Sequence, residues 1–581
     1  MQCKRFEAMK TADYIADFLY SQGVRHVFLV IGGMIAHLVD SLNTKGKIQT
    51  INVNHEQAAA FAAEGVARVT GVPGIALATS GPGATNLLTG IGSCYFDSQP
   101  AIFITGQVNT NEQKGDKQIR QLGFQETNII DMVTPITKAA WEVKYPEEIP
   151  QLLKKAFVLS LSGRPGPVLL DVPMDIQREN ISAKVPQKKY KAKIEKINHK
   201  AINDLITDLK LAQRPLILAG GGIRSARVIS EFMNFIEKIK IPVVNSLMMV
   251  EALPYNHPLR VGMIGTYGNR WANLAIGLSD LILVIGSRLD IRQTGADTSA
   301  FKGSRKIYQL DCDEGEVNNR VTGCVPIMGH LRSFFREIMP KLSDLNFPDR
   351  PDWLAEISKL RSTWPDTAEL NGTSGINPNE LMHSLSAKSK KAVAFVVDVG
   401  NHQMWAAQSL ELSLGQNFIT SGGMGAMGYA LPAGIGVAMA NPGQPVVIIT
   451  GDGGLQMNIQ ELETVVRNNL PLKIIVLNNQ SYGMIRQFQK SYFDERYYSA
   501  DWGYSAPDFA SIARAYGISS QTVDNSDDVC TALEELWMDP KLPFLLQVMI
   551  DKDTNAYPKI AFGLPMTEME PIAKPIDIEG T

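Results

Sequence analysis

Residues 446–479 read VVIITGDGGLQMNIQELETVVRNNLPLKIIVLNN. An apolar, β-branched run, Val446–Thr450, ends in Gly451-Asp452-Gly453-Gly454. A helical stretch follows, with Ile459, Leu462, Val465 and Val466 on one face. A second apolar run, Leu472–Leu477, then ends in Asn478-Asn479. That is the order and size of a βαβ unit. Its parallel strands place Asp452 and Asn479 at one edge of the sheet, on neighbouring strand ends. A carboxylate and an amide oxygen suit a small hard cation such as Mg²⁺, which takes oxygen ligands and borrows others from a phosphate. The glycines let backbone N–H groups approach that phosphate. Alone, Gly-Asp-Gly is a tight turn and Asn-Asn a strand cap. The 24 residues between Gly453 and Asn478 join them into one pattern.

Working outward, the same grammar recurs. His26–Ile31 runs into Gly32-Gly33, Ile75–Thr79 into Gly81-Pro82-Gly83, and Ala101–Thr105 into Gly106. Pro215–Ala219 meets Gly220-Gly221-Gly222, Asp280–Ile285 meets Gly286, and Ala392–Val397 leads to Gly400. Continuous apolar strands alternating with helices predict an α/β fold of doubly wound parallel sheets, with ligands beyond the carboxyl ends of the strands. Two stretches break the pattern and read as linkers: the basic 180–200, and the proline-rich 343–377. The expected domains are 9–180, 198–342 and 376–552, followed by an irregular arm, 553–581.

Composition narrows the class. The chain has 581 residues, 45% of them hydrophobic and 20% charged, which excludes a disordered chain. Its 56 basic and 59 acidic residues give no electrostatic case for nucleic acid. No apolar run is long enough for a membrane span, and the N-terminus carries no signal-peptide core. Five scattered cysteines without metal-ligand spacing point to a reducing, cytoplasmic setting.

A second segment carries chemistry. Asn54-His55-Glu56-Gln57 follows the strand Ile48–Val53 and opens an alanine-rich helix. A glutamate there simply suits the helix dipole. The stretch Ser80-Gly81-Pro82-Gly83-Ala84-Thr85-Asn86 downstream changes the reading. Together with Gly-Asp-Gly…Asn-Asn, these segments resemble the thiamine diphosphate (ThDP) enzymes, and in particular the acetohydroxyacid (acetolactate) synthases. The likeness covers nearly the whole chain.

The resemblance implies three domains, binding pyrimidine, FAD and diphosphate in turn. It implies that Glu56 activates the cofactor from a buried position. Gly32, Gly33 and Gln125 then line the reacting region, as do Phe124, Glu126 and Lys138. Asp452, Asn479 and the Ser481 carbonyl hold Mg²⁺. Gly400, Asn401, His402, Gln403, Gly451, Gly453, Gly454, Tyr482, Gly483 and Met484 lie along ThDP. The Gly425 carbonyl takes the pyrimidine amino group, and Met427 bends the cofactor. For FAD it implies Gly220, Gly221, Gly222, Leu247, Met248, Gly265, Thr266, Gly268, Arg288, Asp290, Arg292 and Asp311.

The implied reaction decarboxylates pyruvate, a 2-keto acid, and transfers the acetyl unit to a carbonyl acceptor. The implied assembly is a homodimer or homotetramer whose sites join two subunits. Four departures bear on the acceptor and the flavin. The loop after Val108 is extended and charged (Lys114, Asp116, Lys117, Arg120). Phe488 stands where the family's tryptophan is usual. Asn401 replaces a glutamine, and His330 an aspartate. The extended loop and the tail Phe562–Pro571 resemble a branch tied to surface polysaccharides, some of whose members transfer an acetyl unit to a ketosugar. An FAD-dependent pyruvate oxidase, a simple 2-keto-acid decarboxylase and a catalytically silent ThDP-binding protein remain open alternatives.

Overall fold

Three six-stranded parallel sheets organise the chain. The structure is a computed structural model and describes residues 8–575 except 193, 195, 196 and 198. Four linker positions, the start of the chain and the arm's end, 576–581, therefore lie outside the described residues. The chain forms two compact units. Unit one is Met1–Lys193 with Ser421–Gln444 and Asn458–Leu472; unit two is the remainder.

Unit one is built on β1 (His26–Leu29), β2 (Gln49–Asn52), β3 (Gly74–Ala78), β4 (Ala101–Gln107), β5 (Ala139–Glu142) and β6 (Pro167–Pro173), in the order β2-β1-β3-β4-β6-β5. Strands β3, β4 and β6 are buried along their whole length, which is why they appear as apolar runs. One face packs on the helix Thr11–Ser21 through Phe18 and Leu19. The helix Glu56–Thr70 begins after His55, whose ring accepts the Gln57 N–H at 3.1 Å, and ends at Gly71 in the left-handed region. It packs on the helix Ala430–Ala440 at backbone contact distance. A Cβ on Gly65 would lie 2.2 Å from the Ala433 carbonyl oxygen, and one on Gly436 would lie 1.9 Å from that of Ala62.

Unit two holds the other sheets. The middle sheet comprises β7 (Pro215–Ala219), β8 (Val243–Asn245), β9 (Arg260–Met263), β10 (Leu281–Ile285), β11 (Lys306–Asp311) and β12 (Val325–Met328), ordered β9-β8-β7-β10-β11-β12. Counted within the sheet this is 3-2-1-4-5-6, the order of dinucleotide-binding folds. The last sheet comprises β13 (Ala394–Val397), β14 (Asn417–Thr420), β15 (Val446–Gly451), β16 (Leu472–Asn478), β17 (Ser519–Val523) and β18 (Phe544–Met549), ordered β14-β13-β15-β16-β18-β17. Unit one's sheet has the same 2-1-3-4-6-5 order.

In each sheet the direction of winding reverses at one crevice, and ligands in such folds bind there. The crevices lie between β1 and β3, β7 and β10, and β13 and β15. Their lips are Gly32 with Gly81, Gly220 with Gly286, and Gly400 with Gly451.

The α/β expectation holds, with two local differences. The stretch 343–377 is not a bare linker. It contains the helix Pro351–Thr363, begun by its proline and anchored by buried Trp353 and Ile357 against the middle sheet. The helix expected after Gly-Asp-Gly starts at Asp452 itself and stops at Met457, and Asn458 leaves helical geometry (φ −136°, ψ 28°). A short 3₁₀ turn, Ile459–Glu461, and the helix Leu462–Arg467 follow. No helix among the described residues is long and apolar enough to cross a membrane.

Candidate active site

In unit one the residues singled out from sequence gather around the turn after β3. Glu56 is the first residue of its helix and is buried at 8% exposure. The Asn86 side-chain N–H donates to Glu56 Oε2 at 2.9 Å. A Cβ on Gly83 would stand 3.2 Å from Glu56 Oε1 and 2.9 Å from the Thr79 methyl, so glycine there leaves the carboxylate its room. A Cβ on Gly32 would meet Thr79 at 2.4 Å, whereas above Gly33 the space is open. Gly81 has φ +66° and lies against Gln125, which itself holds a left-handed φ of +65°. A non-glycine residue in that region carries backbone strain that the surroundings must hold. Thus Glu56, Gly32 and Gln125 all touch the one turn, Thr79–Gly83.

The flanking positions do other work. Glu126 accepts the Lys114 N–H at 2.6 Å and the Leu122 N–H at 2.8 Å, which ties the extended loop together. Lys138 donates to the Ser162 and Arg164 carbonyls. Phe124 is 78% exposed.

The segment 421–428 also lies in unit one. Asp97 accepts the N–H groups of Gly422 (3.0 Å) and Gly423 (2.6 Å). Arg68 pairs with Asp97 and Glu64 in a fully buried cluster, and the Tyr429 hydroxyl donates to Glu64 at 3.1 Å. Removing either partner of such a cluster strands a buried charge. The cluster therefore fixes the approach to Gly425, which sits in the left-handed region at φ +64°, and to half-buried Met427.

In unit two, the crevice between β13 and β15 is lined almost entirely by expected residues. The His402 ring lies against Gly400 and Gly451, where added Cβ atoms would be 2.6 and 3.0 Å away. Gly483 lies against the side-chain amides of Asn401 and Asn479, at 2.7 and 2.8 Å by the same measure. Gly454 lies against Asp398 and Thr450. Asn479 Oδ1 accepts the Ser481 N–H at 3.3 Å, and Ser481 Oγ donates to the Ala500 carbonyl at 2.8 Å. Tyr482 packs on Tyr504, ring centres 4.4 Å apart.

Three buried polar atoms of this crevice have no hydrogen-bond partner among the described residues: Asp452 Oδ2, Asn401 Oδ1 and His402 Nε2. Burial pushes the Asp452 carboxyl up to about 6, against the Gly453 N–H and the Tyr504 hydroxyl, which hold it down. Burial pushes His402 down to about 3, so the ring is neutral. An unsatisfied buried carboxylate beside amide oxygens fits a missing cation. Among the described residues no group of three His, Cys, Asp or Glu side chains could hold a metal. A site here would rest on Asp452, neutral oxygens and the ligand's own phosphate. Tyr504 and Asp398 were missed from sequence, as they lie outside the quoted patterns; Thr450 was read only as the end of its strand.

At the middle crevice, the Gly222 N–H donates to the Gly286 carbonyl at 3.0 Å, and a Cβ on Gly220 would lie 2.2 Å from that oxygen. These glycines are required by the chain's own packing. Gly221 lies against Met248, the Thr266 N–H donates to the Arg292 carbonyl at 2.7 Å, and Arg288 is 4.0 Å from Asp290. Gly265 is closed in by the Arg292 backbone, and Gly268 by the Met263 and Ile264 backbone.

Two crevices in sheets of the same strand order, one beside a buried glutamate and the other holding, amid glycines and amides, an aspartate oxygen with no partner among the described residues, define the ThDP class of enzyme. Comparison with known proteins agrees. The N-terminal, central and C-terminal domain models of thiamine pyrophosphate enzymes match residues 9–132, 202–338 and 398–548. The probable acetolactate synthase large subunit of Methanocaldococcus jannaschii is 36% identical, over 98% of this chain and 96% of its own. The acetolactate synthase isozyme 2 large subunit of Escherichia coli is 36% identical, over 97% and 99%. The acetolactate synthase large subunit of Lactococcus lactis subsp. lactis is 34% identical, over 96% of this chain and 95% of its own. The chain belongs to the thiamine pyrophosphate enzyme family, in its acetolactate synthase group, and is a ThDP-dependent enzyme.

Proposed function

We propose that the protein is a Mg²⁺- and ThDP-dependent carboligase. It removes CO₂ from pyruvate and joins the remaining acetyl unit to the carbonyl of an acceptor ketone. The observation that carries this reading is that one chain has both a buried Glu56, held by Asn86 in unit one, and in unit two an Asp452 whose Oδ2 lacks a partner among the described residues. ThDP, when bound, supplies an electron sink for the carbanion left by decarboxylation. Asp452, the Asn479 amide oxygen and the Ser481 carbonyl would hold the cation. Gly400, Asn401, His402, Gln403, Gly451, Gly453, Gly454, Tyr482, Gly483 and Met484 would frame the diphosphate. Gly425 and Met427 would hold the pyrimidine. Glu56 would hold and release a proton at a pyrimidine nitrogen, and its burial keeps water from that exchange. Gly32, Gly33 and Gln125 would border the reacting carbon, where the open space above Gly33 admits a substrate.

FAD is proposed for the middle crevice, along Gly221, Leu247, Met248, Gly265, Thr266, Arg288, Asp290, Arg292 and Asp311. Its support is the 3-2-1-4-5-6 strand order; Gly220, Gly222 and Gly268 need no ligand to explain them. The absorbance spectrum of the purified protein tests it directly. The assembly is proposed as a homodimer or homotetramer in which Glu56 serves the diphosphate crevice of a second subunit.

Pyruvate added to the Mg-ThDP enzyme, with and without candidate ketones, decides the reaction. Mass spectrometry should find a ligated product. Free aldehyde alone, or flavin bleaching with oxygen uptake, would replace the carboligase reading.

A further inference from the structure

The segment between Gly-Asp-Gly and Asn-Asn reads from sequence as a plain connecting helix, yet it breaks at Asn458. Its polar side chains then turn onto the loop that carries Glu56. Glu461 is fully buried; its Oε1 accepts the Asn54 N–H at 2.9 Å, and its Oε2 accepts the Thr464 hydroxyl at 2.7 Å. The Asn54 side chain donates to the Gln460 carbonyl at 2.9 Å. Arg467 donates to the Asn52 carbonyl at 2.5 Å. Asn458, 1% exposed, spends both N–H groups. One goes to the Gly428 carbonyl at 2.8 Å, the other to Gln57 Oε1 at 3.2 Å.

We infer that Asn458 and Glu461 are positioning residues for Glu56. They grip the chain on both sides of it, at Asn54 and at Gln57, and Asn458 ties that grip to the segment containing Gly425 and Met427. The geometry supports a role beyond packing. Buried polar groups are costly unless paired, and outside their own segment these are paired with backbone and side chains within two residues of Glu56 or one residue of Met427. A displacement near one ångström at such a group lowers turnover by about a hundredfold. The inference rests on the role given to Glu56 above.

The test uses the full-length protein and three readouts. Glu461→Ala should speed amide exchange in the 50–58 peptide of the cofactor-free protein. It should lower kcat by about tenfold or more, and leave ThDP affinity within about twofold. Glu461→Gln keeps an acceptor for the Asn54 N–H and should restore slow exchange and most of the turnover. In a Glu56→Gln background, Glu461→Ala should cost no further activity. Asn458→Ala carries the same expectations for exchange and turnover should Glu461→Ala fail to fold. The inference is overturned by unchanged exchange, by a glutamine variant as impaired as the alanine one, or by additive losses in the double variant. Wild-type turnover in Glu56→Gln alone would instead remove the role given to Glu56 and leave the grip itself standing.

Discussion

Asn86 donates a 2.9 Å hydrogen bond to Glu56 Oε2, while Gly83, three residues before it, leaves the other carboxylate oxygen open. One oxygen is held and the other is kept free. Asn86→Ala should therefore lower turnover by about tenfold while cofactor affinity stays near wild type, because one charge-assisted hydrogen bond orients the acid. Gly83→Ala should be worse, since its methyl group would press on both Glu56 and Thr79. Steady-state kinetics with a ThDP titration separate the two effects. A Gly83→Ala enzyme with full turnover would show that this side of Glu56 needs no space.

Asp452 and the cation make a second prediction. The carboxylate is buried with one oxygen unpaired among the described residues, so the apo protein bears a cost that the metal would relieve. Asp452→Asn keeps the shape and removes the charge. Its apo melting temperature should equal or exceed that of the wild type. The stabilisation that Mg²⁺ and ThDP confer on the wild type should disappear, because ligand binding raises stability only through its affinity for the folded state. Thermal scans with and without Mg-ThDP, and with EDTA, read both quantities. An unchanged cofactor-induced shift in the variant would remove Asp452 from the metal site.

Much of this was legible in the chain, for a physical reason. Strands buried on both faces, such as β3, β10 and β15, leave continuous apolar runs, and their crevice ends demand glycine. Strand β17, Ser519–Val523, is an edge strand with partly exposed Ser, Gln and Thr, so it leaves no run to see. Strand β16 hides a lysine, Lys473, whose ammonium reaches the Asp539 and Leu542 carbonyls at 2.7 Å. The helix Pro351–Thr363 was masked by the prolines that flank it. Asn458 and Glu461 were illegible because their partners, Gln57 and Asn54, lie about 400 positions away, and no local spacing encodes such a contact.

A pH dependence follows from Asp171, on β6 of unit one. It is buried, with hydrogen bonds from the Thr105 hydroxyl at 2.6 Å and the Gln107 amide at 3.0 Å. Burial pushes its carboxyl up to about 7, the two hydrogen bonds opposing that rise only in part. The folded state therefore holds this proton where the unfolded chain has released it. Stability linked to Asp171 is full below about pH 4 and is lost as pH rises to about 7, by at most a few kcal/mol. Asp171→Asn removes the dependence and adds a constant cost from its mismatched amide. The variant should gain on the wild type between about pH 4.5 and 7.5 in denaturant melts. Parallel stability curves would place the proton elsewhere.

The proposed sharing of sites between subunits has its own consequence. If Glu56 serves the diphosphate crevice of another chain, Glu56→Gln and Asp452→Ala damage different halves of the enzyme. Each homomeric variant should be nearly inactive. When the two are unfolded together and reassembled, half of the dimers are hybrids, and each hybrid has one site with both residues intact. Activity should then return to about a quarter of the wild-type value, as expected for a symmetric pair with two equivalent sites. If both residues of a site come from one chain, no hybrid site is whole and the mixture should stay as inactive as its parents. A refolded wild-type control fixes the scale, and native mass spectrometry of the mixture confirms that hybrids have formed, so a flat result there would place Glu56 and Asp452 of each site in the same subunit.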